Sequence, residues 1–470
     1  MLIDLSLQKI VSKFKQLVHT LLMLFAIIYV GFAAVDVLAS DDIKNIEKKI
    51  DEQRAILDEL ENQLDRVAGE RENKIDKPAL PNASSAALIL DKHPNAAIGR
   101  GEDFIDPDFS KSVPFFGSDW RFAMGGYAKV DLIHDFSGGD EYEFVLGSIP
   151  VDGSPQPGSF SRLQISETRF NFEMRNTAAE MPYNRVFFEF DFYDKSNPLS
   201  PRLRHAYFEY GSLLAGRTWS TLTELRQLPL LIDFAAGDSL YGGRTEQIRW
   251  TESDGPFDWA VALEAYPDDS IYNPLNLEGT ARADFPRLVL RSSYQWNHGI
   301  VMIGGAVNQL RFDGAGTQDD TSELGWACVT GGRIYIDPSN RHFFGFGASY
   351  GEGTAQDIIA FVNGGVPNAT LNADGSLELA DAWNLQLALH WEWTDKWSSN
   401  FNYAIGRLSN IPALYEPDYM REGSAVHGNI IYKVSDVITT GVEYMVGKRE
   451  NVNGSDGTAE RLMMSIFYYF

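Results

Sequence analysis

The chain has 470 residues, a formal net charge of −25 and a 13% share of aromatic residues. This acidity excludes a nucleic-acid partner, because phosphate is bound through lysine and arginine. The single Cys328 excludes a disulfide within one chain, and its apolar setting, WACVT, indicates an inert thiol that is either buried or lipid-facing.

The first forty residues have the pattern of an export signal. Three lysines precede the apolar run LLMLFAIIYVGFAAV at 21–35, and small residues follow it. This order is typical of a secretory signal, so residues 1–39 are predicted to be a signal peptide. Cleavage after Ala39 is the first choice and cleavage after Ala34 the second, with an uncleaved anchor helix as the alternative.

Residues 40–72 are predicted to form a coiled coil in the periplasm. Their apolar side chains recur at heptad spacing, with a glutamine at the one missing position, and the other faces are charged. So narrow an apolar stripe predicts a parallel homo-oligomer, and isoleucine at several core positions favours three strands over two. The core positions are Ile43, Ile46, Ile50, Leu57, Leu60, Leu64 and Val67.

Residues 73–118 are interpreted as a linker. The segment NKIDKPALPNASSAALILDKHPNAAI is rich in proline, alanine and serine. Because proline interrupts helices and such a composition packs poorly, we expect little fixed structure here.

From residue 119 to 470, segments with the period of a β-strand follow one another. In WNLQLALHWEW, tryptophan and leucine alternate with mostly polar residues, and the terminal RLMMSIFYYF has one thoroughly apolar face that ends at Phe470. A soluble β-sandwich also alternates in this way. Its strands are typically ~5–6 residues long, whereas several here approach ~10, the length of a membrane-crossing strand.

Loop lengths and aromatic positions also favour the membrane. Aromatic residues lie near the ends of many apolar faces, and short turns alternate with long polar loops. We therefore predict an all-β transmembrane barrel of about 16 antiparallel strands with an aqueous lumen, in the outer membrane of a Gram-negative bacterium.

One stretch, about 218–243, lacks alternation and yet is apolar, as in LPLLIDFAA. An irregular apolar segment fits poorly in free solvent, so we predict that it folds into the barrel and narrows the channel. The alternative is a loop at a subunit contact.

Three segments carry a further signal: DWRFAMGGYAKVDLIHDF, RLRHAYFEYGSLLAGRTWST and the loop that ends IDFAAG. They resemble the corresponding segments of the DcaP-like outer-membrane porin family, and the coiled coil followed by a linker is similar as well. The resemblance implies a trimer of sixteen-stranded porins, with small carboxylate-bearing solutes among the substrates. This chain departs from the family pattern at Arg217, where glutamine is usual.

The predicted inward faces of the strands have a basic bias, ten basic residues against seven acidic ones. A basic wall lowers the barrier to anions; the alternative is that these arginines pair across strands and only solvate the wall. The residues predicted for the pore constriction and substrate binding are Arg169, Arg175, Arg185, Arg204, Arg217, Trp219, Arg226, Arg249 and Arg291.

The leading hypothesis is a homotrimeric porin for passive diffusion through outer-membrane lipid, favouring small anionic solutes such as carboxylates. The alternative is a structural tether in which the barrel only anchors the coiled coil, although eight strands would suffice for that. No enzyme is expected, because His205, His390 and His427 stand in no recognisable nucleophile arrangement. Scattered histidines and one cysteine also predict no metal site, and no cofactor is expected.

Overall fold

The computed structural model describes residue 109 and the ranges 112–116, 119–139, 143–178, 182–193, 199–234, 238–267 and 270–470. All of them belong to one compact unit, residues 81–470. The predicted signal peptide, the coiled coil and most of the linker lie outside the described residues. In these described ranges, no helix has both the length and the apolar character needed to cross a membrane.

Sixteen antiparallel strands form a closed barrel. They are β1 (Trp120–Ser137), β2 (two segments, Phe160–Gln164 and Arg169–Asn176), β3 (Asn184–Asp191), β4 (Arg202–Tyr210), β5 (Leu213–Trp219), β6 (Arg244–Asp254), β7 (Phe257–Glu264), β8 (Arg287–Trp296), β9 (Gly299–Gly314), β10 (Thr321–Tyr335), β11 (Phe343–Glu352), β12 (Asp381–Glu392), β13 (Trp397–Asn410), β14 (Met420–Lys433), β15 (Ile438–Asn451) and β16 (Asp456–Tyr469).

The last strand closes the barrel on the first. β16 pairs with β1 in a register that begins at Tyr127 opposite Tyr469, and the backbone N–H of Phe470 donates to the carbonyl of Gly126 at 3.2 Å. Closure satisfies both edges of the sheet, which is what the hydrocarbon region demands. The prediction of a barrel of about 16 antiparallel strands is confirmed.

Shorter elements lie in the segments that precede and connect the sixteen wall strands. Strands are Val113–Pro114, Ile271–Tyr272, Gly279–Ala281, Ala369–Leu371 and Leu377–Leu379, the 3-10 helices are Leu146–Ser148, Leu225–Gln227 and Ala355–Asp357, and an α-helix spans Ile359–Asn363. Of these, Val113–Pro114 pairs with the start of β1. The predicted linker therefore overlaps a segment that is hydrogen-bonded to the wall.

The two faces of the wall differ as the alternation predicts. In β16, Arg461 and Ser465 are 0% and 2% exposed, whereas Ile466 and Tyr468 are 56% and 51% exposed. Large apolar side chains exposed along a closed barrel face lipid. Cys328 is also exposed, which selects the lipid-facing alternative for its thiol.

The two rims differ in the length of their connections. Two-residue turns at 211–212, 255–256 and 297–298 lie on the rim where the barrel begins and ends, and the long loops 220–243, 265–286 and 353–380 lie on the other. Short turns are periplasmic and long loops extracellular in outer-membrane barrels. We use these names for the two rims.

The lumen differs from the purely polar interior that alternation alone predicts. A buried apolar cluster inside the barrel joins loop residues such as Phe144 and Ile232 to the wall residues Ile133, Met445 and Met463. Apolar loop residues that fold inward must pack against an apolar surface, so the wall positions beneath them are apolar. This filling leaves the charged inner wall mainly on β1–β4 and β6–β8.

Glycines on β11 make room for the inward loop. A Cβ at Gly345 would overlap the carbonyl of Gln227, and one at Gly347 would overlap the Gln227 side-chain amide. The loop therefore lies directly on the backbone of the wall, at positions where any side chain would displace it.

We predict that Gly345→Ala destabilises the barrel, because the overlap is with backbone that cannot rotate away. Overpacking of this kind costs about 1–3 kcal/mol in free energy of unfolding. Urea unfolding in detergent micelles measures it. Gly428→Ala, where a Cβ meets nothing within 4 Å, is the matched control; equal midpoints for the two variants would contradict the contact.

Candidate pore constriction

The loop 220–243, between β5 and β6, starts on the wall of β7 and β8. The backbone N–H of Thr221 donates to Glu264 Oε1 at 2.6 Å, and its carbonyl accepts from Arg291 Nη1 at 3.0 Å. Further along, the carbonyl of Leu230 accepts from Asn429 Nδ2 on β14 at 3.0 Å. The loop thus runs along the inner wall instead of projecting from the rim.

A buried carboxylate in the loop holds two arginines. Glu224 pairs with Arg226 at 2.6 Å and with Arg291 of β8 at 2.7 Å. Burial would raise the pKa of Glu224, but the guanidiniums of Arg226 and Arg291 outweigh it and hold the pKa at about 2. Of the two arginines predicted for the constriction, Arg291 therefore fixes the loop to the wall, and Arg226 pairs with Glu224 within the loop.

The far part of the loop is fixed by a second carboxylate, this time from the wall. Glu443 of β15 accepts the backbone N–H groups of Ile232 at 2.7 Å and Asp233 at 3.2 Å. His427 lies between Glu443 and the loop residue Asp238, at 3.0 and 2.7 Å. These groups are almost completely buried, so this end of the loop is a structural anchor.

Asp233 links the loop to a second loop and to the closing strand. Its Oδ1 accepts the backbone N–H of Phe144 at 3.1 Å and lies 3.9 Å from Arg461 Nη1. Burial raises the pKa of Asp233 to about 7, against the opposing effect of Arg461 and His427.

Next to this anchor, Phe234 faces a wall of arginines. The guanidinium carbons of Arg169, Arg202 and Arg204 lie 5.4, 5.4 and 5.1 Å from the centre of its ring. Tyr193 stacks on the same ring at 4.6 Å. The loop therefore meets the charged wall of β2 and β4 through an aromatic side chain.

The arginines of this wall are partly neutralised. Asp191 pairs with Arg202 at 2.7 Å and with Arg204 at 2.9 Å, and Glu189 pairs with Arg204 at 2.6 Å. Arg169 lies 3.4 Å from Glu167. Cross-strand and neighbouring pairs of this kind are the alternative that the sequence left open.

Trp219 lies at the base of the loop, and Arg249 lies beside the loop on β6. Trp219 packs with the buried loop leucines Leu225, Leu228 and Leu240, and its ring centre is 4.8 Å from the Arg244 guanidinium. Arg249 is buried on β6, between Leu214 of β5 and Ala262 of β7 in the ladder. The small Ala262 leaves space for this guanidinium on the inner wall.

Arg175 and Arg185 lie away from the loop, near the periplasmic rim. Both donate to Glu173 Oε1, at 2.5 and 2.8 Å, and Arg185 also donates to the Tyr207 hydroxyl at 2.7 Å. Sequence alternation placed them on the inner wall, but it could not give their height in the barrel.

Arg217, also predicted for the constriction, lies on the outer face of the barrel. It stands beside Ala206 and Glu246 in the ladder and pairs with Glu246 at 2.7 Å. The inward side chain here belongs to Thr218, whose hydroxyl is 3.0 Å from His205 Nδ1. Because the two neighbouring positions cannot share a face, Arg217 points outward.

Sequence reasoning missed Phe234, Arg202 and Arg244. Phe234 was visible only as part of the apolar loop. A register shift between Glu189 and Phe190 puts both Arg204 and His205 on the inner face. Strict alternation therefore cannot assign a face to Arg202.

Among the described residues, no group of histidine, cysteine, aspartate and glutamate could hold a metal ion.

We predict that Glu224→Gln destabilises the barrel by about 3–5 kcal/mol, because the buried guanidinium of Arg291 and the partly buried one of Arg226 lose their carboxylate. Urea midpoints in detergent measure the loss. The depressed pKa means that the Glu224 contribution is complete above about pH 4.5 and disappears as the pH falls towards 2. The gap between wild type and variant should narrow over that range.

Asp395→Asn is the control, because Asp395 is 95% exposed in a turn at the periplasmic rim, where it pairs with Arg341, and such exposed pairs contribute about 0–1 kcal/mol. An equal loss in both variants, or a gap that does not change with pH, would show that Glu224 does not anchor the loop.

Comparisons with known proteins identify the family of the chain and support its fold. The family model of the DcaP outer membrane protein matches residues 112–470. A comparison with curated proteins finds no match. Among solved structures, the outer membrane channel DcaP of Acinetobacter baumannii is similar, with 19% identity, a TM-score of 0.66 and 76% of this chain and 99% of that chain covered.

An anion-selective porin from Comamonas acidovorans is also similar, with 10% identity, a TM-score of 0.50 and 75% of this chain and 100% of that chain covered. At these identities the likeness to solved structures shows the shared barrel fold. The family match extends over most of the chain, and it confirms the resemblance found in the sequence. This chain therefore belongs to the DcaP outer membrane protein family.

Proposed function

We propose that the chain is a porin for passive diffusion of small hydrophilic solutes across the outer membrane, favouring small anions such as carboxylates. The observation that supports this most directly is the inward loop 220–243, fixed across the lumen by buried ion pairs with Phe234 against a wall of arginines. A loop held in this way narrows the lumen without any chemistry, and permeation then depends on width and wall charge.

The local charge at this wall favours anions. Arg169, Arg202 and Arg204 surround Phe234, and Arg244 lies close by at Trp219. The carboxylates that pair with this wall are Glu167, Glu189 and Asp191. Glu143 is a further buried carboxylate close to Arg202. Among the described residues, no carboxylate forms an ion pair with Arg244, whereas Arg169, Arg202 and Arg204 are all paired. The positive charge that this wall offers an anion is therefore centred on Arg244, although the chain as a whole is strongly acidic. A carboxylate solute can exchange with a wall carboxylate as partner of a guanidinium.

The tether remains the alternative. A barrel that only anchors a coiled coil needs neither sixteen strands nor a loop built into its lumen. Conductance separates the two hypotheses, since a tether requires no open path.

We also propose a homotrimer, whose subunits meet on β3–β5. β3 and β5 have only 8 and 7 residues, fewer than the ~9–11 that a strand needs to cross a bilayer. The pair Arg217–Glu246 lies on the outer face next to them, and charges that face lipid are costly. Contact with a neighbouring subunit would cover both features, and the predicted coiled coil at 40–72 would hold the chains in parallel in the periplasm.

We predict that the purified protein conducts in planar bilayers in steps grouped in threes, with a reversal potential in a salt gradient that indicates anion selectivity. Arg202→Gln should lower the anion-to-cation permeability ratio, by roughly two- to threefold, because the wall loses one positive charge. Absence of conductance, or cation selectivity in the wild type, would refute the proposed function.

Arg217→Gln is the matched control for selectivity. Its side chain is 34% exposed, close to the 31% of Arg202, and each arginine pairs with one carboxylate. Because Arg217 faces outward, the permeability ratio should not change. Heat-modifiable migration on gels confirms that each variant is folded.

We predict that Glu246→Arg converts trimers to monomers, because two like charges would then lie together at the proposed subunit contact. Light scattering after size-exclusion chromatography in detergent measures the mass. Glu422→Arg is the control, since Glu422 pairs with Arg407 at 3.1 Å on β13 and β14, away from the short strands. Trimers that survive Glu246→Arg would place the contact elsewhere.

A further inference from the structure

We propose that Phe109 and Arg175 form a second constriction at the periplasmic mouth of the barrel. The inference rests on the proposed function as a diffusion channel. It assigns a permeation role to Phe109, which precedes the barrel in the chain and lies outside the predicted constriction.

Phe109 lies inside the mouth of the barrel. Its side chain is only 6% exposed, and its ring centre is 4.5 Å from the guanidinium carbon of Arg175. Arg175 is next to last in β2, stands opposite Arg121 in the ladder, and is buried on the inner wall with Glu173. The ring therefore projects over the inner wall at the level where the barrel opens to the periplasm.

The position of Phe109 is fixed by hydrogen bonds to the wall. Its carbonyl accepts from the backbone N–H of Ser112 at 3.1 Å and from the Ser112 hydroxyl at 2.5 Å. Arg121 in turn donates to the Ser112 hydroxyl at 2.6 Å and to its carbonyl at 2.5 Å. Phe109 has a φ of 51°, a conformation that costs free energy for a non-glycine residue. These hydrogen bonds offset that cost.

The Phe109 ring covers part of a charged cluster at the periplasmic mouth. Arg121, Arg175 and Arg185 lie with Glu173 and Glu209 on the inner faces of β1–β4, three guanidiniums with two carboxylates. An aromatic ring over a guanidinium is held by the cation–π attraction and keeps water and ions away from that face. Phe109 thus narrows the mouth and shields part of its positive charge.

A nearby phenylalanine in the same segment has the opposite environment. Phe116 is 91% exposed, although it is chemically identical and also has a positive φ, 47°. The difference shows that burial of Phe109 does not follow from its residue type alone. It also supplies a matched control.

The test compares Phe109→Ala and Phe116→Ala with the wild type in planar bilayers. Removal of the Phe109 ring should raise single-channel conductance roughly 1.5- to 2-fold and shift the reversal potential towards stronger anion selectivity, because it widens the mouth and uncovers Arg175. Phe116→Ala should behave as the wild type.

Equal conductance and reversal potential in all three folded proteins would overturn this inference and leave the proposed function intact. If none of them conducts, the proposed function fails, and the inference with it.

A second measurement does not depend on conductance. In a Cys328→Ser background, the ratio of the anionic to the cationic methanethiosulfonate reaction rate should be higher for Phe109→Cys than for Phe116→Cys, because guanidiniums surround position 109. The exposed Phe116→Cys is the reference for the intrinsic difference between the two reagents. Equal ratios at the two positions would place residue 109 outside the charged mouth and refute the proposal.

Discussion

A loop folded into a wide barrel must find partners for its own backbone, and side chains from the wall provide them. Glu443 accepts two consecutive N–H groups of the loop, and Glu264 accepts a third. Arg291 and Asn429 donate to loop carbonyls. An unpaired buried backbone group costs free energy comparable to a lost hydrogen bond. The charged inner wall is therefore first of all a framework that holds the loop.

This framework changes how the wall charges bear on permeation. Guanidiniums that bind loop or wall carboxylates, such as those of Arg291 and Arg185, contribute little net field. Under the proposed function, a solute would meet only the charge that such pairing leaves uncompensated. A count of charges along the inward faces overstates that charge, because it cannot show which groups pair.

Local periodicity explains which parts of the structure could be predicted. The alternation in β16, which separates Arg461 from Ile466, depends only on the two-residue repeat of a strand facing lipid. The barrel fold and the division of its side chains into inward and outward faces can therefore be predicted from the sequence. Where the repeat breaks, the facing of the side chains could not be predicted. The register shift beside Arg204 and the outward facing of Arg217 both depend on pairing with other strands. The position of Phe109 depends on Arg121 and Arg175, which lie in the barrel wall.

The short strands connect the two proposed properties of the molecule. β3–β5 present Asp191 and Arg204 to the lumen, and Arg217, next to Glu246 of β6, to the outside. A wall too short to cross the bilayer alone, with charge on both faces, is unfavourable in lipid. It becomes stable where a neighbouring subunit covers its outer face and the inward loop packs against its inner one. Under the proposed trimer, the arginine wall can thus remain polar at membrane depth because this part of the barrel does not face lipid. Selectivity and assembly would then depend on the same three strands.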